Sequence, residues 1–117
     1  MSDFVYAIDV KDVPSGRAVP VMVNDRWYAV CNDRGTFHVT AFNCPHENGP
    51  LAKGHVRDGT VICPVHHWPW DLKTGLTDPA MPHLRLRIYP CQVRDGRVYA
   101  DVSHPIPLRD EDVTRPT

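Results

Sequence analysis

Two short cysteine–histidine pairs are the residues of this chain best suited to chemistry. Cys44 and His46 form a Cys-x-His pair, Cys63 and His66 form a Cys-x-x-His pair, and sixteen residues lie between the pairs. The two-residue step from Cys44 to His46 is too short for two ligands on one helical face, so both pairs are interpreted as tight loops. Two thiolates and two imidazoles suit a tetrahedral zinc ion or a two-iron cluster with mixed ligands. The sequence therefore predicts a metal site gripped between two loops.

The order of the ligands favours the two-iron cluster over zinc. Zinc-finger spacing usually places the two cysteines together and the two histidines together. In this chain Cys44 and Cys63 are each paired with a histidine instead. This pairing suits two irons in unlike environments, and a structural zinc ion is the alternative.

The full pattern, Cys-x-His-x₁₆-Cys-x-x-His, resembles that of the Rieske family. The similarity is strongest over about residues 42–90 and lies in two runs, CPHENGPLAKG at 44–54 and CPVHHWPWDLKTG at 63–75. The segment DPAMP at 78–82 falls where the family has a proline-containing loop that covers the cluster. The resemblance implies a single [2Fe–2S] cluster of the Rieske type.

The same resemblance implies a role for each ligand. Cys44 and Cys63 would hold the inner iron, and His46 and His66 would hold the outer iron near the surface. Neutral imidazoles in place of two thiolates reduce the negative charge on the cluster, so an added electron costs less free energy. Each imidazole can also lose its outer proton, so the reduction potential is expected to depend on pH at high pH.

Several positions depart from the patterns of related proteins. Gly49 and Val65 occupy the places where high-potential Rieske proteins carry two further cysteines. Trp68 and Trp70 stand where those proteins have a serine and a tyrosine that donate hydrogen bonds to the cluster. Without these hydroxyls we expect a reduction potential near the low end of the family range, roughly −150 mV. His67 replaces the usual glycine and is interpreted as a surface residue, with a partner contact as the alternative.

Composition predicts an all-β fold. Twelve prolines and seven glycines interrupt any long helix. Strands are predicted near 4–8, 18–23, 26–31, 37–42, 55–57, 60–63, 84–89, 91–93 and 97–102. Turn signals separate several of them, at Asn24-Asp25, Asp33-Arg34-Gly35, Asp58-Gly59 and Asp95-Gly96. The expected fold is an antiparallel β-sandwich or barrel of the Rieske type with a smaller cluster-binding subdomain inserted.

The domain organisation follows from where the motif lies. Residues 1–103 are expected to form one Rieske domain, with a basal β part at 1–42 and 76–103. The cluster-binding subdomain is expected at 43–75. Residues 104–117 are rich in proline and charge, and are expected to be an extended or disordered tail.

Charge and hydropathy exclude several classes of partner. A formal net charge of −1 gives no electrostatic basis for binding nucleic acid or an anionic membrane. No apolar run is long enough to span a bilayer, and the N-terminus lacks a secretory signal pattern. The expected location is therefore the cytoplasm. Its reducing conditions suit cysteines that bind metal. Cys31 and Cys91 are then expected to be free thiols on strands, with a disulfide between them as the alternative. His38 and Arg85 are expected to face solvent.

The function implied by the resemblance is electron transfer. The chain has no nucleotide-binding glycine motif and no second metal set for oxygen activation, so it is not expected to oxidise an organic substrate alone. A Rieske-type ferredoxin would carry single electrons from an NAD(P)H-dependent flavin reductase to a terminal oxygenase, as a monomer. The alternative is a small subunit of assimilatory nitrite reductase bound to its large subunit. A third class is a structural zinc domain without a redox role.

Overall fold

The computed structural model describes residues 3–45, 49–65 and 67–108, and the predicted ligands His46 and His66 lie outside these ranges. Antiparallel strands dominate the described residues, which confirms the predicted all-β class. In chain order they are β1 (Val5–Asp9), β2 (Ala18–Val23), β3 (Arg26–Asp33), β4 (Thr36–Ala41), β5 (His55–Arg57), β6 (Thr60–Ile62), β7 (Pro69–Asp71), β8 (Ile88–Tyr89), β9 (Cys91–Arg94) and β10 (Arg97–Ala100). No helix in the described residues could cross a membrane.

Three sheets arrange these strands around the middle of the chain. The first sheet has the order β1-β10-β9, the second β2-β3-β4-β8 and the third β5-β6-β7. The third sheet comes from the segment between β4 and β8, which also carries both cysteine–histidine motifs. Single turns of 3-10 helix lie at Val10–Asp12 and Leu51–Lys53.

The second sheet lies between two hydrophobic cores. Successive side chains of a strand point to opposite faces, and β3 is buried on both. Ala29 and Cys31 pack in a core shared with the third sheet. Tyr28 and Val30 pack in a core shared with the first sheet. The second sheet therefore connects the rest of the fold to the segment that carries the motifs.

Four two-residue turns set the register of the hairpins. In each of them both central residues have positive φ, which is the type I′ geometry that matches the twist of paired strands. The turns lie at Asn24-Asp25, Arg34-Gly35, Asp58-Gly59 and Asp95-Gly96. All four turn signals predicted from the sequence are therefore confirmed.

Two strand predictions differ from the structure. Strand β7 was not predicted, because its segment Pro-Trp-Asp has only three residues and begins with a proline. That proline is the first residue of an edge strand, a position that tolerates the missing N–H. The predicted strand at 84–89 is shorter than expected and covers only Ile88–Tyr89. The first half of the predicted strand pairs with the segment after the second motif instead. Leu86 donates a backbone hydrogen bond to the carbonyl of Gly75, and Arg85 forms an isolated β-bridge with Leu76.

Arg85 does not face solvent as predicted. It is half-buried, and its Nε donates to the carbonyl of Thr74 at 2.9 Å. Its Nη2 donates to the carbonyl of Ile106 at 2.6 Å. The Ile106 N–H in turn donates to the carbonyl of Ile88 at 2.8 Å. Arg85 thus connects the segment after the second motif to the chain beyond β10.

We expect Gly75→Ala to reduce the free energy of unfolding by at least about 3 kcal/mol. Gly75 has φ +81°, and a Cβ there would collide with the Leu86 carbonyl oxygen. Gly96→Ala is the matched control, because Gly96 has φ +73° but open space around its Cβ position. The free energy of unfolding of the control should fall by only about 1 kcal/mol, the cost of placing alanine in the left-handed backbone region. Equal losses in denaturant titrations of the two variants would show that the close approach of Gly75 to Leu86 is unimportant.

Candidate metal centre

The first motif loop begins where β4 ends. The Cys44 N–H donates to the carbonyl of Gly49 at 2.8 Å, and Asn43 forms an isolated bridge with Pro50. The loop is therefore closed at its base over a span of five residues. His46 falls within this span in the sequence and lies outside the described residues.

The second motif loop is closed in the same way. It connects β6 to β7, and the Cys63 N–H donates to the carbonyl of Trp68 at 3.0 Å. Ile62 and Pro69 pair directly beneath this bond. His66, like His46, falls within the loop in the sequence and outside the described residues. Each predicted cysteine ligand is thus the first residue of a loop whose base its own amide closes.

The two loops meet at Gly49. A Cβ on Gly49 would lie 2.9 Å from the Cys63 Sγ and 2.8 Å from a methyl group of Val65. A glycine is required here because any side chain would occupy the space beside the thiol. Gly49 and Val65, which occupy the places of the two extra cysteines in high-potential relatives, therefore lie against each other.

Both predicted cysteine ligands are buried and in no disulfide. Cys44 and Cys63 have 0% exposure and share one core with Leu51, Trp70 and Leu72. Burying two thiolates without a compensating charge is costly, so a metal group is the natural partner for them. The sequence placed these two residues in the same site, and the structure brings their loops together.

One buried donor in this core has no acceptor among the described residues. The indole Nε1 of Trp70 is buried and makes no hydrogen bond there. Trp68 packs beside it, with ring centroids 6.4 Å apart. Thiolate and sulfide sulfurs are acceptors, so a sulfur-rich group would suit an N–H in this core. The buried thiols, the glycine cradle and this indole all fit a [2Fe–2S] cluster.

His67 has a backbone conformation that explains its unusual place in the motif. Its φ is +58°, in the left-handed region that glycine adopts most easily. A glycine at this position, which the resemblance leads one to expect, would suit this backbone conformation. The side chain of His67 is exposed, as predicted.

His38 differs from its prediction as a solvent-facing residue. It lies on β4, opposite Cys31, and its side chain is half-buried towards the third sheet. Burial lowers the pKa of His38, against the opposing effects of Asp33 and Asp71. The sequence contained a signal for this, because the alternation of β4 places His38 on the same face as the buried Thr40.

The other two cysteines are free thiols, as predicted. Burial, and to a smaller extent the nearby Cys91, raises the pKa of Cys31 to about 12. Cys91 is only partly buried and donates its S–H to the carbonyl of Phe37 at 3.2 Å. Burial raises the pKa of Cys91 as well. Both thiols therefore stay protonated and act as small apolar residues.

Comparisons with known proteins identify the family of this chain. The Rieske [2Fe-2S] domain family matches residues 3–90. The 3-phenylpropionate/cinnamic acid dioxygenase ferredoxin subunit of Escherichia coli strain K12 is 33% identical over 105 residues, covering 84% of this chain and 92% of that protein. The biphenyl dioxygenase ferredoxin subunit of Pseudomonas sp. strain KKS102 is 31% identical over 101 residues, covering 86% and 93%.

A solved structure extends the comparison to the fold. The ferredoxin of Sphingomonas yanoikuyae B1 superposes with a TM-score of 0.73 at 30% identity, covering 84% of this chain and 97% of its own. The chain therefore belongs to the Rieske [2Fe-2S] domain family. It is a Rieske-type ferredoxin, and its cofactor is a Rieske-type [2Fe–2S] cluster rather than the zinc ion considered from the sequence.

We expect Gly49→Ala to impair assembly of the centre. The backbone of Gly49 does not require positive φ, so the new methyl group acts only by displacing Cys63 and Val65. Purified Gly49→Ala should contain less than about half of the iron and labile sulfide of the unmodified protein, since overpacking costs about 1–3 kcal/mol. Gly35→Ala has open space for a Cβ but a left-handed φ of +93°, so it adds backbone strain in the turn between β3 and β4 and should still retain full iron content.

We expect His67→Gly to be more stable than His67→Ala by about 1 kcal/mol. The left-handed conformation penalises alanine but not glycine, and this penalty exceeds the entropy that glycine loses on folding. Thermal melting of the two cluster-loaded variants measures the difference. If alanine were equal or better at this position, the positive φ of His67 would not be a constraint of the loop.

Proposed function

We propose that this protein carries single electrons from an NAD(P)H-dependent flavin reductase to the terminal oxygenase of a ring-hydroxylating dioxygenase. The cluster would be held by Cys44, His46, Cys63 and His66. The observation that carries this proposal is the meeting of two amide-closed loops at Gly49, each starting with a buried cysteine. The dioxygenase ferredoxin subunits described above support the choice of oxygenase as the partner.

The roles of the residues follow from their burial. When bound, the cluster accepts and releases one electron at a time. Cys44 and Cys63 would anchor its inner iron, where Trp70 and Leu72 exclude water. The two histidines would hold the outer iron on the side from which a partner approaches. The closed loop bases suit this task, because they hold the backbone of Cys44 and Cys63 in place between redox states.

We also propose the domain organisation expected from the sequence. A cluster-binding subdomain at 43–75 would be inserted in a basal part formed by 1–42 and 76–103, followed by a tail at 104–117. The separate third sheet within 43–75 supports this division. A monomer in the cytoplasm suits a carrier that must leave each partner after every electron, and size-exclusion chromatography would test the monomer.

A reduction potential of roughly −150 mV is the expected result of protein-film voltammetry. Trp68 and Trp70 offer no hydroxyl donors, so the reduced state receives less stabilisation than in high-potential relatives. Anaerobic mixing should then show that the reduced protein transfers its electron to the oxygenase components of the biphenyl and 3-phenylpropionate dioxygenases. A potential well above zero would contradict the first expectation, and no transfer to either oxygenase would contradict the proposed partner.

Matched cysteine variants provide the control for the ligand assignment. Cys44→Ala and Cys63→Ala should lose the cluster, its visible absorption and the voltammetric wave. Cys31→Ala removes an equally buried thiol from the same core and should retain all three. If Cys31→Ala lost the cluster while Cys44→Ala and Cys63→Ala kept it, the assignment of the cysteine ligands would be wrong.

A further inference from the structure

An exposed row of apolar side chains crosses the end of the second sheet nearest the first motif loop. Met22 on β2 pairs directly with Trp27 on β3, and each is 52% exposed. The Trp27 ring lies 6.2 Å from the ring of Phe42, which follows β4. Together the exposed Met22 and Trp27 and the half-buried Phe42 form a continuous strip that we call the apolar row.

The apolar row is continuous with the first motif loop. Phe42 lies two residues before Cys44, and its carbonyl accepts a hydrogen bond from the Leu51 N–H at 3.1 Å. The 3-10 turn that begins at Leu51 packs against β2. By alternation along β3, Trp27 is on the same face as Ala29 and Cys31, which pack against the third sheet. The row therefore lies on the face of the second sheet that packs against the third sheet, next to the first motif loop.

The row is not explained by folding alone. Among the described residues, the large apolar side chains with strong exposure are Met22, Trp27, Tyr6 and Val93. Tyr6 and Val93 belong to the first sheet, away from the motif loops. Tryptophan and methionine are enriched where proteins bind partners, because they offer large apolar area that adapts to the partner.

We propose that the apolar row is the docking surface for the terminal oxygenase. This proposal rests on the proposed function, in which an oxygenase must approach the motif loops to receive an electron. The surface that borders those loops is then covered in the complex. A formal net charge of −1 gives the chain little overall electrostatic steering, and the exposed Met22 and Trp27 offer the partner apolar contact beside the motif loops. A strip of three side chains suits a weak, transient complex rather than a stable dimer.

The test compares a row variant with a matched control. The row variant is Met22→Ser with Trp27→Ser, and the control is Val93→Ser, whose side chain is 49% exposed on the first sheet. Each reduced protein is mixed anaerobically with the biphenyl and the 3-phenylpropionate oxygenase components over a range of concentrations. Stopped-flow absorbance gives the half-saturation concentration and the limiting rate. Iron content and reduction potential are measured for every variant to confirm an intact centre.

We expect the row variant to raise the half-saturation concentration at least about tenfold, the effect of losing one strong aromatic contact. The limiting rate should not change, because the centre itself is untouched. Val93→Ser should behave like the unmodified protein. The single variant Trp27→Phe, which keeps Met22 and an aromatic ring, should retain most of the affinity of the unmodified protein. Because the contact is apolar, added salt should not abolish the difference between the row variant and the control.

Other outcomes would overturn the proposal in distinguishable ways. If the unmodified protein reduces an oxygenase and the row variant matches Val93→Ser, the docking surface lies elsewhere and the electron-transfer function stands. If only the limiting rate falls, the row affects the centre and not docking. If the unmodified protein is a dimer that Met22→Ser with Trp27→Ser dissociates, the row is a self-association surface. If the unmodified protein reduces neither oxygenase, the proposed function fails and the docking proposal fails with it.

Discussion

The backbone amide of each motif cysteine closes the loop that the cysteine begins, and the candidate centre depends on this pair of hydrogen bonds. Cys44 bonds to Gly49 and Cys63 bonds to Trp68, in both cases five residues further along the chain. A loop closed in this way presents its thiol at a fixed base. β6 ends at Ile62, directly before Cys63, and β4 ends at Ala41, three residues before Cys44.

The contact between the two loops limits the residues that the sequence can use. Gly49 lies so close to Cys63 and Val65 that only a hydrogen fits, and Gly75 is similarly confined against Leu86. Both glycines maintain close approaches between segments that are distant in sequence. His67 shows that the chain tolerates a left-handed residue other than glycine where the side chain can point into solvent. Steric limits therefore apply inside the site and relax at its surface.

The parts of the fold that were predictable from sequence are those controlled by local signals. The type I′ turns at Asp58-Gly59 and Asp95-Gly96 depend on residues that accept positive φ, and the ligand pattern depends on residue type and spacing. The parts that were missed depend on distant partners. The half-buried Arg85 donates to the carbonyls of Thr74 and Ile106, which no local pattern reveals. Strand β7 exists because β6 offers it an edge, although its own sequence has weak strand character.

The burial of Cys44 and Cys63 would also influence the reduction potential of a cluster bound there. Adding an electron increases negative charge, and a site walled by Trp70, Leu51 and Leu72 stabilises that charge poorly. The absence of hydroxyl donors at Trp68 and Trp70 acts in the same direction, while the indole N–H of Trp70 is a single donor that would act against it. Two effects that lower the potential therefore oppose one that raises it. A carrier of this kind gains driving force towards an oxygenase, since a lower potential makes each electron easier to donate.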